Sequence, residues 1–150
     1  MKLFQIEEPD GGPPDPDATG AAVGIDTSTV IVEVAFSVGG NAVTLADREG
    51  FERVIPVPEM TAGKPEWQAL LEAARTRAER ALARPVTHAV IALGQTPDAD
   101  MANRLRDAAE AAGLTVLRLA AAAELPVASA PALAAAMLAE DLAPPPGRDA

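Results

Sequence analysis

At 150 residues the chain has room for one domain, and its 49% hydrophobic composition is enough to bury a core. The formal net charge of −10 argues against attraction to DNA, RNA or an anionic membrane surface, because like charges repel. The lack of cysteine excludes disulfides and thiolate metal sites, and one histidine, His88, argues against a histidine metal site. The sequence contains no run typical of a secretory signal or a membrane span, so we expect a cytoplasmic protein.

Two polar segments frame the predicted domain. Residues 1–20 are rich in proline, glycine and acidic side chains and are predicted to be a disordered acidic tail, since they cannot bury enough apolar surface to order themselves. Residues 143–150, which end in PPPGRDA, are predicted to be a second disordered tail. Residues 21–142 are therefore predicted to form a single domain.

The first part of this domain is predicted to be β-structure. Residues 21–26 form a short apolar run, and residues 30–36 are rich in β-branched side chains, which favour a strand. The Gly-Gly-Asn sequence at residues 39–41 predicts a hairpin turn, because these residues tolerate positive φ. A returning strand is predicted at residues 42–46 and a third strand at residues 51–57.

Helices and strands then alternate. An apolar stripe at helical spacing predicts a helix at residues 65–83, with Trp67 on its buried side. Residues 86–93, VTHAVIAL, form a nearly continuous apolar strand, as expected at the centre of a sheet that is covered on both faces. A Thr-Pro-Asp sequence at residues 96–98 is typical of a helix start, and Gly113 is typical of a helix end.

A fifth strand at residues 115–119 and an alanine-rich helix at residues 129–142 complete the predicted order. Three antiparallel strands joined to two parallel ones form a half-domain of the ribonuclease-H-like and actin-like ATPase folds. We therefore expect an α/β fold of this half-lobe type, with a five-stranded mixed sheet and helices on both faces. A fold alone does not fix a function.

Three stretches of this order resemble the first half of the nucleotide-binding lobe of DnaK-type heat-shock chaperones, in the actin-like ATPase superfamily. VGIDTSTVIVEV at residues 23–34 resembles the family's first phosphate-binding hairpin, and RPVTHAVIAL at residues 84–93 resembles its central strand. DAAEAAGLTVLRL at residues 107–119 resembles the helix end and strand that lead into the active-site loop.

The resemblance implies that Asp26, Thr27, Ser28 and Thr29 form a degenerate phosphate-binding hairpin, in which Asp26 would organise a metal ion through water. The family has glycine where Ser28 stands, and the absence of a side chain there lets main-chain N–H groups close around phosphate. The same residues also fit a second interpretation. The carboxylate would cap the turn that follows it, and the hydroxyls would satisfy that turn.

Other groups of the family are displaced or missing. AAAAELP at residues 120–126 places Ala122 where the family has its active-site glutamate, and Glu124 follows two residues later. Only a short loop, residues 58–64, occupies the place of an inserted subdomain that carries a functional lysine, and Lys64 receives no role from the resemblance. The resemblance does not extend to the family's second phosphate loop or adenosine pocket.

The sequence therefore favours a non-catalytic protein-interaction or assembly module, derived from a chaperone nucleotide-binding lobe. It would need no cofactor and would bind a protein partner, or itself, through the exposed face of the half-lobe. The alternative is residual ATP or ADP binding with Mg²⁺, and weak ATP hydrolysis, in a site completed by another chain. His88, Glu124 and Trp67 are interpreted as a structural histidine, an exposed loop glutamate and a core tryptophan.

Overall fold

The structure, a computed structural model, describes residues 20–45, 55–126 and 130–143. Five strands and three helices follow in chain order: β1 Ala21–Thr27, β2 Glu33–Val38, β3 Asn41–Leu45, α1 Lys64–Leu82, β4 Val86–Leu93, α2 Ala99–Ala111, β5 Thr115–Ala121 and α3 Pro131–Leu142. Nearly all of both predicted tails lies outside the described residues.

The strands form one sheet in the order β3-β2-β1-β4-β5. β2 is antiparallel to both β1 and β3, whereas β4 is parallel to both β1 and β5. Gly39 and Gly40, at φ values of 60° and 83°, make the turn between β2 and β3. An L-residue with a side chain rarely adopts such φ values, so the glycines explain why the hairpin turns where the sequence predicted it.

Helices cover both faces of the sheet, as predicted. α1 and α2 pack on one face, where the core contains Val23, Ile25 and Ile91. α3 packs on the other face, over Ala22 and Val90. β4 lies between β1 and β5 and is covered from both sides, which is why its sequence is almost continuously apolar. The α/β fold with a five-stranded mixed sheet is confirmed.

Most element boundaries differ from the prediction by one to three residues, and three of the differences have a local explanation. The second strand begins at Glu33 rather than at residue 30, because residues 28–30 form a bend rather than an extended strand. The described end of the third predicted strand, residues 55–57, forms only an isolated bridge between Pro56 and Ile31, since proline has no N–H to extend a ladder. The antiparallel meander therefore consists of β1, β2 and β3. α3 begins at Pro131, where proline is favoured as a first helical residue.

α3 approaches the sheet closely because Gly24 has no side chain. A Cβ atom on Gly24 would lie 2.7 Å from the carbonyl carbon of Ala135 and 2.8 Å from the carbonyl oxygen of Ala132, and nearer still to the backbone nitrogen of Ala136. The buried side of α3 is made of alanines, which are small enough to let a helix backbone reach a strand. The contact between Gly24 and the alanine side of α3 therefore sets the distance between α3 and β1.

Candidate functional site

The predicted phosphate hairpin at residues 26–29 and Glu124 lie at the same end of the sheet, where the parallel strands terminate. β1, β4 and β5 are parallel, so their carboxyl ends meet at one edge, which is where open α/β sheets commonly bind ligands. Asp26 pairs with Ala92, and Ala92 pairs with Ala120. Two strand spacings of about 4.8 Å put the backbones of Asp26 and Ala120 roughly 10 Å apart.

The carboxylate of Asp26 caps the turn that follows β1. Its Oδ1 accepts the backbone N–H of Ser28 at 2.8 Å and the Ser28 hydroxyl at 2.6 Å. Asp26 is only 3% exposed, so these short bonds satisfy an otherwise costly buried charge. The turn-capping interpretation of Asp26 is therefore confirmed, and Ser28 is held by the residue that precedes the turn.

The two threonines of the hairpin also donate within the protein. The buried hydroxyl of Thr27 donates to the carbonyl oxygen of Ala92 on β4, at 2.7 Å. The hydroxyl of Thr29, which is exposed, donates to the carbonyl oxygen of Ile31 at 3.0 Å. Because a phosphate accepts hydrogen bonds, it could bind the hydroxyls of Thr27 and Ser28 only if these hydroxyls left their short internal partners.

Glu124 ties the loop after β5 to the loop after β4. Its Oε1 accepts the backbone N–H of Ala121 at 3.0 Å, and its Oε2 accepts the hydroxyl of Thr96 at 3.2 Å. The residue is exposed, as the interpretation of a loop glutamate predicted. Ala122, at the position that the resemblance matches to the family's glutamate, begins a single 3₁₀ turn that Glu124 closes.

The sequence analysis also discussed Trp67, His88 and Lys64, which lie in the core, in β4 and at the start of α1. Trp67 is fully buried on the inner side of α1, which confirms the core interpretation. His88 is half-buried in β4, and its Nδ1 lies 2.7 Å from the hydroxyl oxygen of Thr87. Lys64 is exposed as the first residue of α1. Within the described ranges no group of three or more His, Cys, Asp or Glu side chains is arranged to hold a metal ion.

A groove of about 500 Å³ lies beside the sheet edge, between α3 and β5. Among the residues that the structure describes, two helices cover the opposite face of the sheet and only α3 covers this one. The contacts of α3 favour the strands on the far side from β5. The wall and floor of the groove are mostly apolar, and three charged residues line it. The apolar residues include Ala120, Leu125, Ala134, Met137 and Leu138, and the charged ones are Arg118, Glu124 and Asp141.

The outer side of α3 is apolar as well. Met137 and Leu142 are each 39% exposed, and Leu133 and Leu138 are half-buried. No polar side chain occurs between Pro131 and Ala139. A helix that is apolar all round is normally buried on all sides, and within the described ranges α3 is covered by the sheet on one side only. The lack of any charge before Glu140 was the sequence signal for this surface, and the sequence analysis passed over it.

Glu140 is a second residue that the sequence analysis missed. Its Oε1 accepts the hydroxyl of Ser37 at 2.8 Å and the N–H of Gly40 at 3.1 Å, while its Oε2 accepts the N–H of Gly39 at 2.6 Å. The Ser37 hydroxyl, followed by the N–H groups of Gly40 and Gly39, lowers the pKa of the Glu140 carboxyl below its ordinary value, since all three favour the charged form. The carboxylate thus fastens the last turn of α3 to the β2–β3 hairpin.

We expect the Glu140 contact to stabilise the fold at neutral pH and to be lost in acid. Because the folded-state pKa is lowered from about 4.5, the stabilisation is complete above that value and disappears as the pH falls through the folded-state pKa. Glu140→Gln should therefore unfold at a lower urea concentration than wild type at pH 7, and the difference should shrink on acidification. The same change at the exposed Glu110 on α2 is the control, and an equal pH-dependent loss there would contradict the assignment.

No protein-family model matches the chain, and no curated protein matches it. Among the described helices, none has the combination of length and apolar character that a bilayer crossing requires.

Proposed function

We propose that the protein is a non-catalytic protein-interaction or assembly module of the cytoplasm, derived from the first half of a DnaK-type nucleotide-binding lobe. The observation that carries the proposal is the apolar outer side of α3, which continues into the groove beside β5. This surface, formed by α3 residues 133–142 and the groove, is called the α3 face below. Apolar surfaces of this kind on a water-soluble domain usually mark a protein interface.

The edge strand beside the groove carries some protection against pairing. Among the described residues, β5 pairs only with β4, so its other edge presents main-chain donors and acceptors. The strand, whose sequence is TVLRLAA, contains the charged Arg118, and its pairing with β4 is irregular between Ala89 and Val90. Charges and bulges are devices by which proteins protect open edges, so the proposal rests on the α3 face.

The hairpin geometry supports a non-catalytic role over nucleotide chemistry. The resemblance matches Ser28 to the glycine of a phosphate loop, and here its hydroxyl and N–H are both bonded to Asp26. The hydroxyl of Thr27 is bonded to β4. The derivation from a chaperone half-lobe is supported by the three antiparallel and two parallel strands, the arrangement expected from the resemblance.

The test of the proposed function is photo-cross-linking in the native cell. A photoreactive amino acid replaces Met137 on the α3 face or, as a control, Val43, which is 57% exposed on β3. Val43 pairs with Phe36, which packs with the core of the opposite face, so the control lies on the other side of the sheet. We expect a defined protein adduct from position 137 and none from position 43. A folded protein that gives no adduct from position 137 would overturn the proposal.

We expect no stabilisation of the purified protein by Mg-ATP or Mg-ADP. The hydroxyls of Thr27 and Ser28 already donate internally, so phosphate would gain little on this open edge. Binding at a ligand concentration a hundredfold above the dissociation constant would add about 2.7 kcal/mol to the free energy of unfolding. The measurement is a thermal melt with each nucleotide. A melting shift that Asp26→Asn abolishes would instead support the alternative of residual nucleotide binding.

A further inference from the structure

The turn between β2 and β3 holds the carboxylate of Glu140 with three converging donors. The N–H of Gly39 donates to Oε2 at 2.6 Å, and the N–H of Gly40 donates to Oε1 at 3.1 Å. The hydroxyl of Ser37 donates to the same Oε1 at 2.8 Å. Consecutive main-chain N–H groups that point at one anion form a nest, an arrangement that binds anions in many proteins.

These donors are positioned by the hairpin and not by Glu140. The φ values of 60° and 83° at Gly39 and Gly40 belong to the turn itself, and β2 and β3 pair with each other on either side of it. Ser37 is 3% exposed and is held in β2 by its pairing with Ala42. The three donors therefore form a preorganised site, and preorganisation favours binding because little ordering is left to be done.

The turn can also be reached from outside the domain. Gly39 and Gly40 are both exposed. Among the described residues, no atom lies within 4 Å of the position that a Cβ atom would take on either glycine. The described group that fills the nest is the Glu140 side chain, so another anion can enter by displacing that one side chain.

Glu140 is held in its position by the nest and not by its own helix. It lies in the last turn of α3, where main-chain carbonyl groups carry a partial negative charge that disfavours a carboxylate. Asp141 follows directly, and the last turn of α3 contains no basic residue. A carboxylate that does not belong to α3 can therefore bind the same donors without being tied to the negative end of a helix.

We propose that the β2–β3 turn is a carboxylate-binding site and that Glu140 is its built-in competing ligand. The carboxylate of a second molecule, a small organic acid or the chain end of a peptide, takes the place of Glu140. One of its oxygens then accepts from Gly39, and the other accepts from Gly40 and Ser37. Backbone nests capture the C-terminal carboxylates of peptides in this way. The turn lies at the β3 edge of the sheet and the groove beside β5 at the opposite edge, so the inference goes beyond the proposed function and does not depend on it.

The first test is a titration of the full chain with sodium acetate at pH 7, followed by the amide NMR signals of Gly39 and Gly40. Sodium chloride keeps the ionic strength constant, so that screening of the chain's formal charge of −10 does not change during the titration. In Glu140→Ala both signals should shift and saturate, with half-saturation at millimolar acetate. The wild-type chain should need about tenfold more acetate or higher, because its own carboxylate is present at a high effective concentration.

Two controls accompany this titration. Glu110→Ala removes the same charge from an exposed position on α2 and should behave as the wild-type chain does. The amide signal of Gly113, a glycine at positive φ outside the hairpin, should not move with acetate in any variant. Adding Ser37→Ala to Glu140→Ala should weaken acetate binding by about tenfold, since one hydrogen bond to a charged group is lost.

A second measurement keeps the test readable if Glu140→Ala folds poorly. A ligand that binds only the folded state stabilises it, so acetate should raise the urea midpoint of Glu140→Ala more than that of Glu110→Ala or wild type at the same ionic strength. Equal effects of acetate on all three chains would overturn the site.

The source of the carboxylate is distinguished with N-acetylated tetra-alanine, used with a free and with an amidated C-terminus. Tighter binding of the free acid than of acetate indicates a peptide chain end, and equal binding indicates a small organic acid. Binding of the amidated peptide as tight as that of the free acid would contradict carboxylate recognition. A folded Glu140→Ala whose Gly39 and Gly40 signals do not saturate with acetate would show that the turn binds no external carboxylate. Half-saturation of wild type and Glu140→Ala at the same acetate concentration would show that Glu140 does not compete for the nest.

Discussion

Gly24→Ala is expected to unfold the protein or to leave it barely folded. The added methyl group would meet main-chain atoms of α3, at 2.7 Å from the carbonyl carbon of Ala135 and 2.8 Å from the carbonyl oxygen of Ala132. Backbone atoms cannot move aside by changing a rotamer, so relief requires α3 to lift from β1. Overpacking in a core typically costs about 1–3 kcal/mol, and a clash with backbone should reach or exceed the upper value.

The expected loss is large because a small domain has a free energy of unfolding of only about 5–15 kcal/mol. Urea unfolding measures the loss. Gly94→Ala is the matched control, because a Cβ atom there would lie 3.7 Å from its nearest neighbour, the carbonyl oxygen of Ser28. Equal urea midpoints for Gly24→Ala and wild type would show that α3 does not rest on β1.

Ile91→Ala is expected to be the most damaging truncation in the sheet. Ile91 is fully buried in β4, where it pairs with Ile25 on one side and Leu119 on the other. Removing its side chain loses transfer free energy and leaves a cavity beneath α1 and α2, at a cost of about 2–5 kcal/mol. The variant should therefore melt far below wild type, in a circular dichroism melt at the same protein concentration.

The control for Ile91→Ala is Val43→Ala on the edge strand β3. Val43 is 57% exposed, so its truncation removes little buried surface and should change the free energy of unfolding by about 0.5 kcal/mol or less. Melting temperatures of Ile91→Ala and Val43→Ala that agree within error would contradict the central position of β4.

Much of the fold could be predicted because the deciding signals are local. The apolar run at residues 86–93 matches β4, and the Asp98 side chain caps α2 by accepting the N–H of Met101 at 2.8 Å. A third strand was predicted at residues 51–57, and in the part that the structure describes this prediction was wrong. β-propensity describes how side chains fit a partly buried surface, and Pro56 leaves the described end of that segment with a single bridge.

The candidate site likewise has one part that the sequence could predict and one part that it could not. The turn capped by Asp26 involves atoms two residues apart, so the sequence could predict it. The hydroxyl of Thr27 instead binds Ala92, 65 positions away, and nothing near Thr27 in the chain indicates that acceptor. The predicted phosphate contacts depended on where this hydroxyl donates, which only the pairing of β1 with β4 decides.

By itself, the sequence determined the α/β class, the alternation of helices and strands from α1 onwards, the glycine hairpin and the buried central strand. Each follows from residues within a few positions of one another, through apolar periodicity, backbone φ preferences and capping. The tertiary structure decided that Gly24 would lie against the backbone of α3 and that Glu140 would bind a hairpin about 100 residues earlier. It also decided that the apolar outer side of α3 would lie beside an open strand. These contacts join segments far apart in the chain, and their partners exist only once the sheet and its helices have packed.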